Sequence, residues 1–204
     1  MYKINRLISN LINYRKKILP VIFYEIIYSI KYFKSGNNYK IQDHNIRTDA
    51  IPCPYFFIRE ITKFVNENKI SSLIDLGSGF GRVTNFLSDT TKALVFGHEA
   101  NSEIFEISIK NKKDNVVIKN QDILTTNYNN LNIDCYILND PLKKINDLEK
   151  LIKKIELSKV NHGGKYYLVS ININKEKSYV FNKYILIKNI EAGSSRSIKF
   201  YSNK

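Results

Sequence analysis

The run Leu73-Ile74-Asp75-Leu76-Gly77-Ser78-Gly79-Phe80-Gly81-Arg82 constrains the fold of this chain more than any other segment. An apolar stretch of strand length passes directly into three glycines at alternate positions and then into a helix-forming sequence. Glycine reaches backbone angles closed to other residues and carries no Cβ, so such a turn brings main chain close to a ligand at the carboxyl edge of a sheet. In α/β proteins that position takes nucleotides. Gly77, Gly79 and Gly81 give G-x-G-x-G rather than the G-x-G-x-x-G of dinucleotide sites, and no lysine follows as a P-loop requires.

The sequence around this turn alternates short apolar runs with amphipathic stretches. Pro52 and Pro54 precede a helix from Tyr55 to Asn66. Strands are expected at 72–76, 93–97, 116–119, 135–138 and 166–173, the last after a Gly163–Gly164 turn. Helices are expected from the glycine turn to about Ser88, over 102–111, and where Leu148, Leu151, Ile152 and Ile155 share one face. The tail differs: 179–187 and 197–201 read as two strands with Gly193 and serines between them, a terminal antiparallel hairpin. Strand and helix in repeated alternation give a mostly parallel α/β sheet covered on both faces.

Residues 1–45 form a basic helical extension and linker, leaving 46–204 as the domain. Ile4, Leu7, Ile8, Leu11 and Ile12 recur at helical spacing, Pro20 divides the segment into two helical pieces, and 35–49 is polar. Lys3, Arg6, Arg15, Lys16, Lys17, Lys31 and Lys34 face one acid, Glu25, so the element either packs on the domain or meets a membrane surface or protein partner. The apolar run 18–30 is short of the roughly 20 residues that cross a bilayer, and a cleaved signal is poorly matched, which places the protein in the cytoplasm or peripheral to a membrane. The chain's 204 residues carry a net charge of +13, but 26 of its basic residues are Lys and only 6 Arg. Nucleic-acid recognition leans on arginine, so this charge reads mainly as a solvated surface. Cys53, Cys135, His44, His98 and His162 are too scattered for a zinc site, and two buried thiols are the simpler reading of the cysteines, with a disulfide left open.

The glycine segment closely resembles the first motif of the class I S-adenosylmethionine-dependent methyltransferases, and further motifs follow in the order that family requires. Leu94-Val95-Phe96-Gly97-His98-Glu99 ends a second strand on an acid. Asn120-Gln121-Asp122-Ile123 follows the third strand, and Ile137-Leu138-Asn139-Asp140-Pro141-Leu142 ends the fourth. The resemblance covers about residues 48–204. It implies a Rossmann-like seven-stranded sheet with a C-terminal antiparallel hairpin, and S-adenosylmethionine as cofactor. It assigns Gly77, Ser78, Gly79 and Gly81 to the cofactor turn. Glu99 would accept from both ribose hydroxyls, as two carboxylate oxygens suit a vicinal diol. Asp122 would accept from the adenine amino group, with Ile123 beside the ring. Asp75 would meet the cofactor's amino group or brace the turn, and Arg82 would approach the cofactor carboxylate or pair with an acid. The segment 45–55 takes the place of a loop that folds over the methionine end, with Thr48, Asp49 and Tyr55 as candidates.

The fourth motif departs from the family's Asn/Asp-Pro-Pro-aromatic form, since Leu142 and Lys143 stand where the second proline and the aromatic belong. Methylation of adenine or glutamine nitrogen is disfavoured by that change. Asp140 can accept a proton from a hydroxyl or amine nucleophile with Asn139 orienting it, or can cap the turn before Pro141. The implied enzyme methylates an oxygen or nitrogen of a small molecule, sugar or protein. Alternatives are a protein lysine methyltransferase and a cofactor-binding protein without turnover. A nucleic-acid methyltransferase has no accompanying RNA- or DNA-binding module.

Overall fold

A computed structural model describes residues 18–32, 45–162, 164–192 and 196–204. The expected helix at 2–17, the linker at 35–44, His44, Gly163 and the 193–195 connection lie outside the described residues, as does the side chain of His162. Seven strands form one sheet: β1 (Ser72–Leu76), β2 (Leu94–Glu99), β3 (Val116–Asn120), β4 (Cys135–Asn139), β5 (Tyr167–Ile171), β6 (Ile185–Glu191) and β7 (Ser197–Ser202). Their order is β3-β2-β1-β4-β5-β7-β6. β1 to β5 are parallel, whereas β7 runs antiparallel between β5 and β6.

Strands β1, β4 and β5 are buried on nearly every residue because both of their faces are covered. Alternation sorts them by side. Leu73, Cys135, Ile137, Val169 and Phe200 pack with helices α1 (residues 18–31), α2 (Tyr55–Glu67) and α3 (Arg82–Thr90), through Val21, Ile58, Ile61 and Phe86. Ile74, Leu76, Tyr136, Leu138 and Leu168 pack on the opposite face against Leu148, Leu151, Ile152 and Ile155 of α5 (Ile145–His162). Between these helices in sequence lies α4 (Ser102–Lys110), whose first turn is capped by the Asn101 side chain accepting from the Ile104 amide at 3.1 Å. Both cysteines are buried free thiols.

Two expectations change. The described helix α1 runs through Pro20. Its Val21 and Tyr32 join the domain's core, so this part of the 1–45 extension is packed on the fold. The run 179–187 is not one strand: α6 (Lys175–Ser178) and a 3₁₀ turn, Tyr179–Phe181, precede β6. Asn174 caps α6 by accepting from the Lys177 amide at 2.9 Å, and Phe181 stacks on Tyr201 with ring centroids 5.1 Å apart. Cap and core packing override the strand preference of Tyr-Val-Phe.

Candidate functional site

The three glycines of the turn after β1 have φ of 86°, 54° and 86°, the left-handed region that only glycine enters at little cost. The Gly77 and Ser78 amides both donate to the His98 carbonyl at 2.9 Å, which ties the turn to the end of β2. Pro141, after β4, lies so near that a Cβ on Gly77 would stand 3.1 Å from its own. A Cβ on Gly79 would meet nothing within 4 Å, because that glycine faces a cleft. The cleft encloses about 840 Å³ out to its mouth, and is lined by the turn, by the ends of β2 to β4 and by residues 47–53.

Three acids and a histidine define its chemistry. Glu99 is buried; its Oε2 accepts from the Gly79 amide at 2.9 Å and its Oε1 from the Asn101 amide at 2.8 Å. With the Ala100 amide as a further donor, the carboxylate still keeps acceptor capacity for a ligand hydroxyl. Asp75, also buried, is pushed up to about 7 by burial and by the charge of Glu99. Burial likewise raises Glu99 against the pull of its amide donors. Two buried acids at one cleft, each resisting ionisation, favour a cationic ligand. Asp122 lines the wall at the end of β3, with Ile123 beside it, and accepts from the Leu124 amide at 2.8 Å. His98 is buried at the cleft and burial pulls it down to about 4, so it is neutral at pH 7.

No known protein-family profile matches the chain, and no curated protein matches it in sequence. Solved structures do match in shape. An RNA methyltransferase from Salinibacter ruber in complex with S-adenosyl-L-homocysteine aligns with a TM-score of 0.55 at 14% identity, over 74% of this chain and 93% of that one. An N-methyltransferase from Bradyrhizobium japonicum gives 0.51 at 11%, over 72% and 94%. An S-adenosylmethionine-dependent O-methyltransferase from Thermotoga maritima gives 0.55 at 16%, over 72% and 64%. The chain has the class I methyltransferase fold.

Within that methyltransferase fold the expected site residues divide. Gly77, Ser78, Gly79, Glu99, Asp75, Asp122, Ile123 and Asn139 line one cleft. Gly81 starts α3 as its left-handed N-cap, behind the turn. Ser78 Oγ is buried in the cleft wall with no hydrogen-bond partner among the described residues, a group that a ligand would satisfy. The residues present therefore fit a nucleoside carrying a positive charge.

One assignment is corrected and two open alternatives are decided. Tyr55 is not a cleft residue: it is fully buried among Tyr28, Tyr32 and Phe86, beneath the Arg82 guanidinium 4.3 Å from its ring. Arg82 touches the cleft, but it pairs with Glu25 of α1 at 2.9 Å and donates to the Cys53 carbonyl at 3.0 Å; the acid-pairing role holds its charge. Glu25 also accepts from the Tyr55 amide at 2.7 Å. Asp140 is held away from the cleft. Its φ of 40° turns the chain, and its carboxylate is paired with the buried Lys177 ammonium, which also donates to the Leu142 carbonyl at 2.9 Å. A carboxylate so engaged is a turn brace rather than a base in the cleft.

Sequence reasoning missed Arg47, Glu25 and Lys177. Arg47 belongs to a strap that pairs antiparallel with the chain after β4: it bridges Leu142, and the Lys143 amide donates to the Ile46 carbonyl at 2.8 Å. From there its guanidinium reaches across to Asp122 at 2.9 Å. The Thr48 hydroxyl donates to the Asp140 carbonyl at 2.5 Å, and Asn139 Nδ2 donates to the Ile51 carbonyl at 3.2 Å, so Asn139 fixes the strap. An arginine in an otherwise lysine-rich chain is the one signal that could have drawn attention to Arg47.

Proposed function

We propose that this protein is an S-adenosylmethionine-dependent methyltransferase acting on an oxygen or nitrogen nucleophile. The observation that carries the reading is the placement of the glycine turn, Asp75, Glu99 and Asp122 around one cleft at the carboxyl edge of a methyltransferase-fold sheet. Gly79 admits the ligand, Glu99 offers acceptors to the ribose diol, and Asp122 with Ile123 serves the adenine. Asp75 and the Ser78 hydroxyl serve the amino acid end. When bound, the sulfonium supplies an already activated methyl group, so the chain's task is alignment of the acceptor and exclusion of water. The strap at residues 46–51 and Asn139 form the acceptor side of the cleft.

A second reading, cofactor binding without turnover, is favoured by one observation: Asp140, at the position the family uses beside the acceptor, is engaged by Lys177. Titration calorimetry with S-adenosylmethionine and S-adenosylhomocysteine tests the shared part, and absence of heat with both sinks both readings. Incubation of labelled cofactor with cell extract then separates them: label transferred to protein identifies a protein methyltransferase, label in small molecules excludes it, and no transfer leaves the binding protein. Asp140→Asn should leave S-adenosylhomocysteine affinity within about twofold while lowering the denaturation midpoint, since Lys177 loses its charged partner in a buried setting. Lost affinity with unchanged stability would return Asp140 to the cleft.

A further inference from the structure

Helix α1 is apolar on both of its long faces. Inward, Val21, Tyr24, Tyr28 and Tyr32 join the core, with Tyr28 against Phe86 at 5.0 Å and Tyr24 over Phe56 at 6.3 Å. Outward, Leu19, Phe23, Ile26, Ile27 and Ile30 are exposed, Ile30 to 78% and Ile26 to 63%. At 3.6 residues per turn those five fall within an arc of about 100° that carries no charged or polar side chain. At about 200 Å² for a large side chain, they expose on the order of 600 Å² of apolar surface, the upper end of what a monomer leaves bare.

We propose that this stripe docks the protein on an anionic lipid surface, with α1 lying in the plane of the interface. The charge around the stripe selects that occupant. Residues 1–34 hold seven Lys and Arg against Glu25 alone, with Arg15, Lys16 and Lys17 just before α1 in sequence and Lys31 and Lys34 at its end. The single acid faces inward, neutralised by Arg82. An apolar ridge flanked in sequence by cations on both sides suits acyl chains below and anionic headgroups beside them. A second copy fits worse: a two-fold contact through this face sets two strongly basic segments against each other, and the stripe falls short of the roughly 800 Å² per partner of a stable interface. The apolar run 18–30 is short of the roughly 20 residues that cross a bilayer and contains Glu25, which suits a helix lying on the surface. No described helix is long and apolar enough to cross a membrane.

The test is flotation of the full-length chain with vesicles of phosphatidylcholine containing 30% phosphatidylglycerol, against vesicles of phosphatidylcholine alone, at low and high salt. The expected result is binding to the anionic vesicles at low salt that drops at least about tenfold in high salt and on neutral vesicles. Phe23→Asp/Ile30→Asp should reduce binding at least about tenfold while keeping the circular dichroism spectrum and a cooperative melt, since both side chains point away from the core. Arg15→Gln/Lys16→Gln/Lys17→Gln, which replaces no apolar side chain, should reduce it about a hundredfold, at about a factor of five per cation. Failure of the wild type to float overturns the proposal, as does equal flotation by the apolar variant. It is also overturned if sedimentation velocity finds a wild-type dimer that the Asp variant dissociates, or if that variant melts far lower and the wild type ignores vesicles, which would mean that residues 1–17 cover the stripe.

Discussion

Gly97 sits in the middle of β2, between Asp75 of β1 and Ile118 of β3, with ordinary strand geometry. A Cβ built there would lie 2.9 Å from Ser78 Oγ, 3.0 Å from Ser78 Cβ and 3.1 Å from Thr84 Cγ2. The first two contacts belong to the glycine turn itself, which is pinned by two amide bonds to His98 and cannot retreat freely. Gly97→Ala should therefore cost about 1–3 kcal/mol of overpacking, with no contribution from backbone strain. In a chain of this size that lowers the melting temperature by on the order of 5 °C. Because the displaced atoms form the cleft wall, affinity for S-adenosylhomocysteine should fall as well, by about tenfold or more. Gly79→Ala is the control: its Cβ meets no protein atom, so its stability cost is only the left-handed penalty of about 1–2 kcal/mol, while the new methyl group stands in the cleft. Thermal melts with and without ligand measure both quantities. The two variants should differ in kind: ligand-induced stabilisation is lost entirely in Gly79→Ala and reduced in Gly97→Ala. A Gly97→Ala protein that melts and binds like the wild type would refute the close packing of turn against β2.

Arg82→Met should lower stability in urea titrations by about 2–4 kcal/mol, because it strands the Glu25 carboxylate and removes the cation over Tyr55; the side chain of Glu25 stays 32% exposed, which keeps the loss below that of a fully buried pair. Restoration of stability by Arg82→Met/Glu25→Leu would confirm the pairing, and a single variant as stable as wild type would remove it. Asp75 gives a pH signature. Its folded pKa is raised to about 7 from an ordinary 3.8, so the folded protein binds the extra proton between those values; the stability this adds is full below about pH 4 and is lost as pH rises through about 7. Glu60 and Asp134 are lowered and act in the opposite sense, but both are common to wild type and Asp75→Asn, so their contributions cancel in that comparison. The variant should gain on wild type between about pH 4 and pH 7 and level off above that in ligand-free denaturation, and parallel curves would contradict the burial of that acid.

The sheet and its ligand edge were legible because local signals coincide there: β1 is apolar and runs straight into glycines whose φ values only glycine tolerates well, and Glu99 and Asp122 follow strand ends. What escaped depends on partners distant in sequence. Glu25 meets Arg82 57 residues on, Arg47 meets Asp122 75 residues on, and Lys177 meets Asp140 from 37 residues beyond. Nothing local distinguishes those charges from solvated ones. Tyr55 was misplaced for a related reason: the resemblance put it at the end of a loop over the methionine end, and only the rings of α1 show that it is packed beneath them instead. Asp140 before proline fits a base and a turn brace equally well in sequence, and only the lysine in α6 decides.

The strap gives the cleft an internal competitor. Arg47 already holds one oxygen of Asp122, so a nucleoside that claims this carboxylate does not fill a waiting acceptor but exchanges one donor for another. Its apparent affinity is then the difference between two hydrogen-bonded arrangements, the one the strap makes with this wall and the one the ligand makes in its place.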